Sequence, residues 1–294
     1  MNQQQSICSQ AREKTRAKRA ATQVFSFLTL RAAAFVNCAA LVIACVFLFV
    51  NGIGALNIDF VLDSPREMMT SGGVFPCLVG TFLLAAGAIA IALPFGVACA
   101  VWLNEYGKQG PVVDIVRLSV ANLAGVPSIV FGLFGLAFFV TALGFNVSLL
   151  SGILTLAVLT LPVIINTTEE ALKQVPRSWR DASLALGATK SQTIGRIVLP
   201  SALPGILAVA RAAGETSAVM FTAAVFYTPK LPESVWSSVM ALPYHMYVLA
   251  TAGTEIEKTR PMQYGTGLLL VVLVFAMNLI AILIRDKMQK KRLA

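Results

Sequence analysis

The sequence predicts an all-α integral membrane protein with six transmembrane helices, and three observations carry that expectation. Of its 294 residues 57% are hydrophobic and only 13% are charged, against roughly 25% charged in a soluble domain. The charged residues are bunched and leave uncharged stretches long enough to cross a bilayer. Lys and Arg are abundant in alternate connections and scarce in the others, as the two sides of a membrane require.

A hydrocarbon core roughly 30 Å thick takes about 20 apolar residues in helical form. Arg31 and Asp59 bracket the first span, near residues 32–56, after a basic tail over residues 1–31. The long basic region, the long apolar run and the lack of a small-x-small site between Asn51 and Asn57 argue for an uncleaved helix rather than a signal peptide. Residues 32–73 thus hold the first span and an external loop. The second span runs over about 74–102, with Pro94 predicting a kink. No charge falls between Arg117 and Glu169, and those 51 residues leave room for two helices, divided by a turn near Gly144-Phe145-Asn146. The fifth span covers about 203–227 and the sixth about 266–284, before a second basic tail at 286–294.

Six spans put both termini on one side. The two tails and the connections after the second and fourth spans together carry 18 Lys and Arg, the opposite connections only Arg66, Lys230, Lys258 and Arg260. Positive charge stays inside, so both tails and the loop between the fourth and fifth spans are expected in the cytoplasm. The external segment over 227–264 holds Pro229, Pro232, Pro243 and Pro261 with Trp236, Tyr244 and Tyr247. Interfacial aromatics of this kind predict a surface-lying or re-entrant piece.

Composition also excludes. The net charge of +9 sits in short clusters beside apolar runs, a membrane pattern rather than a nucleic-acid surface. Five cysteines show no metal spacing, and His245 is the only histidine, so a multi-histidine metal site is ruled out. The bland expectation for His245 is a loop or helix-end residue. No GxxxxGK[ST] loop exists; the nearest stretch, Gly187 to Ser191, lacks its spacing. No catalytic residue, metal or cofactor is expected, and the chain should not hydrolyse ATP by itself.

The connection over 168–200 parses into short helices. Pro176 suits a first helical turn, Gly187 is placed to end that helix as the residue beyond its C-cap, and Thr189 can cap the next, which leads to Leu199 and Pro200. Asp181-Ala182-Ser183, three residues, Gly187, nine residues, then Ile197-Val198-Leu199-Pro200 resembles the EAA loop of ABC importer permeases, with Asp for the leading Glu and Ser for the second Ala. The resemblance implies a type I ABC importer (MetI-like) permease fold, with a core over 74–285. Its loop would be a coupling helix seated in a cytoplasmic ATPase, so that Asp181, Ala182, Ser183 and Gly187 become coupling residues.

Arg211 and Glu215 lie inside the predicted fifth span, four apart and therefore on one helical face. A charge at mid-bilayer costs at least about 2.5–3.5 kcal/mol, so such residues face a cavity or a partner. Arg211 offers a bidentate donor for an oxyanion, with Glu215 to tune or release it; a buried ion pair that fixes packing is the alternative. Arg211-Ala-Ala-Gly-Glu215-Thr together with the 241–253 stretch resembles the A-type permease of the phosphate-specific ABC importer. That resemblance implies a C-type permease as heterodimer partner, two ATPase copies, a periplasmic phosphate-binding protein and a place in the bacterial inner membrane. It puts the family's intramembrane arginine and glutamate on Arg211 and Glu215. A permease of the same build for sulfate or molybdate stays open, as does an ATP-independent secondary transporter, although no repeated broken helices support the latter.

Overall fold

A computed structural model describes residues 2–69, 71–108, 110–206, 218–225, 227–251 and 256–293. The chain falls into two compact units, Met1–Asn51 and Gly52–Ala294. Helix α1 (Asn2–Gly52) makes up the first, so the expected basic tail is helical and continuous with the apolar run that follows it.

The second unit opens with a 3₁₀ turn (Ile53–Ala55), the short helix α2 (Ile58–Leu62) and a two-stranded antiparallel ribbon, β1 (Pro65–Arg66) with β2 (Ser71–Gly72), in which Pro65 faces Gly72. Helix α3 (Phe75–Val101) continues into a π-helical turn (Trp102–Tyr106). Pro94 sits inside α3 without ending it.

The expected third span departs from a single helix. Helix α4 (Pro111–Ala124) and α5 (Ser128–Gly135), which runs on into a π turn (Leu136–Ala142), meet at 101° across residues 125–127. Pro127 supplies no N–H and pushes the residue before it out of helical geometry, which is enough to break the helix here. Arg117, expected in a loop, therefore lies within α4. The turn expected near 144–146 is present, with Gly144 at φ +69° and Asn146 at φ +56°. Beyond it the Ser148 hydroxyl accepts from Ser151 N–H and caps α6 (Leu149–Lys173).

Helices α3 and α6 form the spine of this unit. Ala88 and Ala92 of α3 are fully buried and Ala157 of α6 nearly so, and a Cβ on Gly96 would run into the Ile164 side chain. Small residues let the two backbones approach closely, which is how apolar helices gain contact where no water is expelled.

After α6 come α7 (Arg177–Ala185), α8 (Lys190–Thr193), a π turn (Ile194–Val198) and α9 (Leu199–Ile206). The predicted fifth span begins in α9, and its middle, 207–217, lies outside the described residues. Its far end is not helical: 218–223 form turns, and Ala224 bridges Val239 in parallel. Backbone partners decide this. Val225 N–H donates to Val239 C=O, Val239 N–H to Ala223 C=O and Ser148 N–H to Thr222 C=O. Helices α10 (Leu242–Thr251) and α11 (Ile256–Leu293) follow, and α11 begins ten residues before the expected sixth span. Four helices among the described residues are long and apolar enough to cross a membrane, or five if the bent pair α4–α5 counts as one span. The predicted count of six is not reached among the described residues, and the middle of the predicted fifth span, 207–217, lies outside them.

His245 is neither in a loop nor at a helix end. It sits within α10, outside the long apolar helices, 1% exposed, with neither ring nitrogen hydrogen-bonded among the described residues. Burial pushes its pKa from 6.5 down to about 4. The unfolded chain then takes up a proton before the folded one does, so this stability is complete above pH 6.5 and drains away as pH falls toward 4. Lowering pH from about 7.5 to about 5 should destabilise the chain by about 2 kcal/mol more than it does His245→Leu. Unfolding curves of the two proteins in detergent at both pH values would check it.

Candidate functional site

The loop over 168–200 is an elbow whose turns are settled locally. Pro176 stands as the N-cap of α7, one residue earlier than the first-turn position expected for it. At the other end of α7, Gly187 has φ +83°. Its N–H donates to Leu184 C=O and that of Ala188 to Ser183 C=O. This pair of bonds is the Schellman closure, which needs the left-handed conformation that glycine adopts without strain. Thr189 and Gln192 then form a reciprocal capping box that starts α8. The helix does not stop at Pro200: the π turn before it carries the chain through, its wider register suiting a residue with no N–H.

The elbow is bolted to the ends of α3 and α6 by polar contacts, and α6 in turn is tied to α4. Arg180, 17% exposed in its side chain, places Nη2 2.8 Å from Glu105 Oε1 at the end of α3's π turn. Arg180 Nη1 also donates to Val175 C=O at 2.7 Å and Nη2 to Leu172 C=O at 3.0 Å. Those two carbonyls belong to the last turn of α6 and the residues just after it, the helix end that favours a cation; Leu172 C=O also accepts from Val175 N–H. Glu169, buried in α6, takes Arg117 of α4 at 2.8 Å and Lys173 at 2.8 Å. Lys190 lies 4.9 Å from the centre of the Tyr106 ring, a cation–π distance. Ser183 and Thr193, both buried, share a hydroxyl hydrogen bond of 2.9 Å that ties α7 to α8.

The remaining side of α7 is left uncovered by the described residues. Trp179 is 50% exposed, Ala182 is exposed and Leu186 is 90% exposed. At spacings of three and seven they make an apolar stripe, next to the side through which Arg180 and Ser183 hold the helix down.

Of the residues singled out from sequence, Asp181 and Ala182 are exposed on α7, Ser183 is buried against α8, and Gly187 forms the turn. Arg211 and Glu215 lie outside the described residues. Arg180, Glu105, Arg117, Glu169 and Lys173 were not singled out. The spacing of Glu169 and Lys173, four apart on a helix, was a readable signal; Arg180 and Glu105 are 75 residues apart in sequence, and nothing local pairs them.

Residues 92–293 match the family model described as "Binding-protein-dependent transport system inner membrane component". The chain is 31% identical over 266 residues to the probable ABC transporter permease protein YqgI of Bacillus subtilis, covering 83% of this chain and 90% of that protein. It is 39% identical over 228 residues to the phosphate transport system permease protein PstA 1 of Mycobacterium tuberculosis, covering 76% of this chain and 73% of that one. Among solved structures, the inward-facing MetNI methionine ABC transporter aligns with TM-score 0.54 at 24% identity, over 74% of this chain and 94% of the other. At that identity the last likeness speaks for the fold.

If the Gly187 turn sets the elbow, Gly187→Val should lower its stability by about 1–2 kcal/mol through backbone strain alone, since open space surrounds the missing Cβ. Gly187→Asn, which tolerates φ above zero, should lower it by less. Limited proteolysis between α7 and α8 would rank wild type, Asn and Val in order of rising cleavage.

Proposed function

Because the chain belongs to the family of binding-protein-dependent transport system inner membrane components, we propose that it is the transmembrane permease subunit of an ATP-driven phosphate importer. It is a multi-pass inner membrane protein, with both termini and the elbow on the cytoplasmic side. The excess of Lys and Arg on that side supports the orientation. The paired subunit is a C-type permease, hydrolysis belongs to two copies of a cytoplasmic ATPase, and a periplasmic phosphate-binding protein delivers the anion.

One observation carries this reading: α7 is bolted down on one side, and on the other Trp179, Ala182 and the C-cap residue Leu186 are exposed among the described residues. A stiff helix with an apolar face is what a separate motor can grip and push, whereas a flexible loop would absorb the displacement. Asp181 borders this grip, Ser183 relays motion to α8, and Gly187 fixes the angle between the two helices. From α8 the continuous helical backbone through α9 leads in sequence to Arg211 and Glu215. There the guanidinium would receive the oxyanion through paired N–H donors and the carboxylate would limit how tightly it is held. Phosphate as the anion is drawn from relatives that bear that name.

Radiolabelled phosphate uptake in cells lacking this chain should fall while sulfate uptake is unchanged; loss of both, or of neither, refutes the substrate. Trp179→Glu and Leu186→Glu should each remove the copurifying ATPase and reduce uptake tenfold or more, since buried aromatic and aliphatic anchors contribute upwards of about 2 kcal/mol each at an interface. Arg211→Gln should suppress uptake with the complex intact; a complex that no longer assembles would assign Arg211 to packing.

A further inference from the structure

Arg180 makes more contacts than a helix anchor needs, and they reach two separate parts of the inner face, Glu105 beyond α3 and the end of α6. We propose that Arg180 is the positioning residue that joins α7 to the ends of α3 and α6, so that the three move as one body when the coupling helix is displaced. This deepens the coupling role given above and rests on it.

The geometry is specific to a guanidinium. Nε and Nη2 both reach Glu105 Oε1, at 3.2 and 2.8 Å. Nη2 also reaches Leu172 C=O, and Nη1 on the other branch reaches Val175 C=O. Three nitrogens in one rigid plane thus hold two chain segments that approach α7 from different directions. A lysine has a single ammonium at the end of a flexible stem and cannot bridge such a set. Both charges of the pair are largely withdrawn from water, with side chains 17% and 9% exposed, so solvent neither screens the attraction nor substitutes for it. Glu105 is itself steadied by Asn104 Nδ2 at 2.8 Å. The cation also sits at the C-terminal end of α6, the helix end that favours positive charge. Only the three residues 174–176 link α6 to α7 in sequence. Without the guanidinium that link is a hinge, and a push on Trp179 and Leu186 would be spent in bending it.

The test uses the assembled complex in lipid vesicles, with phosphate accumulation and ATP hydrolysis measured on the same preparation. Arg180→Gln should keep the ATPase bound and hydrolysing while phosphate moved per ATP falls about tenfold. Arg180→Lys should recover only part of that ratio, and Glu105→Gln should lower it in the same direction. An unchanged ratio in Arg180→Gln overturns the proposal, and so does loss of the ATPase, which would make Arg180 a docking residue. A second measurement leaves Arg180 in place: spin labels at Lys108→Cys and Arg177→Cys, in a chain whose five native cysteines are replaced by Ala. Their separation should stay fixed between nucleotide-free and ATP-bound complexes; a separation that changes overturns the proposal even if Arg180→Gln never reaches the membrane. A wild-type complex in which ATP drives no phosphate accumulation would refute the transport reading instead, and the label pair would still decide whether the end of α3 and α7 move together.

Discussion

A carboxylate placed where membrane helices end and packing begins cannot be left without a cation. Removing one partner of a buried ion pair typically costs 3–5 kcal/mol, because the charge that remains has lost both water and its counterion. Glu105 and Glu169 occupy such places, and the arrangement of the inner face follows from satisfying them. Glu169 draws in Arg117 of α4 and Lys173 of its own helix. Glu105 draws in Arg180 and with it α7. Two acidic side chains thereby organise four helices, α3 and α4 from one part of the chain and α6 and α7 from another.

Behind those pairs stands a spine with different physics. Where α3 meets α6, alanines and glycines allow the backbones to close up, and dispersion supplies the attraction that water supplies in a soluble core. The inner end holds by directed charge and the middle by shape. Contacts of the first kind can be exchanged one at a time, while the second kind yields only as a whole, which makes the spine the fixed frame against which an elbow can be displaced.

What could be read from sequence was what local rules determine. Gly187 as a left-handed terminator and Thr189 as a cap are decided within five residues, and both are present as expected. So is the turn at Gly144 and Asn146. The bend at 125–127 was signalled by Pro127, but the uncharged stretch around it hid the signal, because a hydropathy count does not register direction. The end of the predicted fifth span failed for another reason. Residues 218–225 are apolar enough for a helix, yet their backbone groups find partners in Val239 and in Ser148 at the start of α6, and tertiary pairing overrides local preference. The bond from Arg180 to Glu105 was out of reach because the fold alone brings those residues together. Arg211 and Glu215 remain a proposal resting on sequence.

The closed turn between α7 and α8 bears on how a partner would be met. Schellman bonds on one side of Gly187 and a capping box on the other leave the corner with its backbone groups satisfied from within. Nothing in it waits for another protein in order to take shape. Docking onto this corner would therefore involve little loss of chain entropy, and the contact free energy of Trp179 and Leu186 would go almost entirely into holding on rather than into ordering a loose segment. A handle that is already rigid can be grasped and let go in every cycle without being refolded each time.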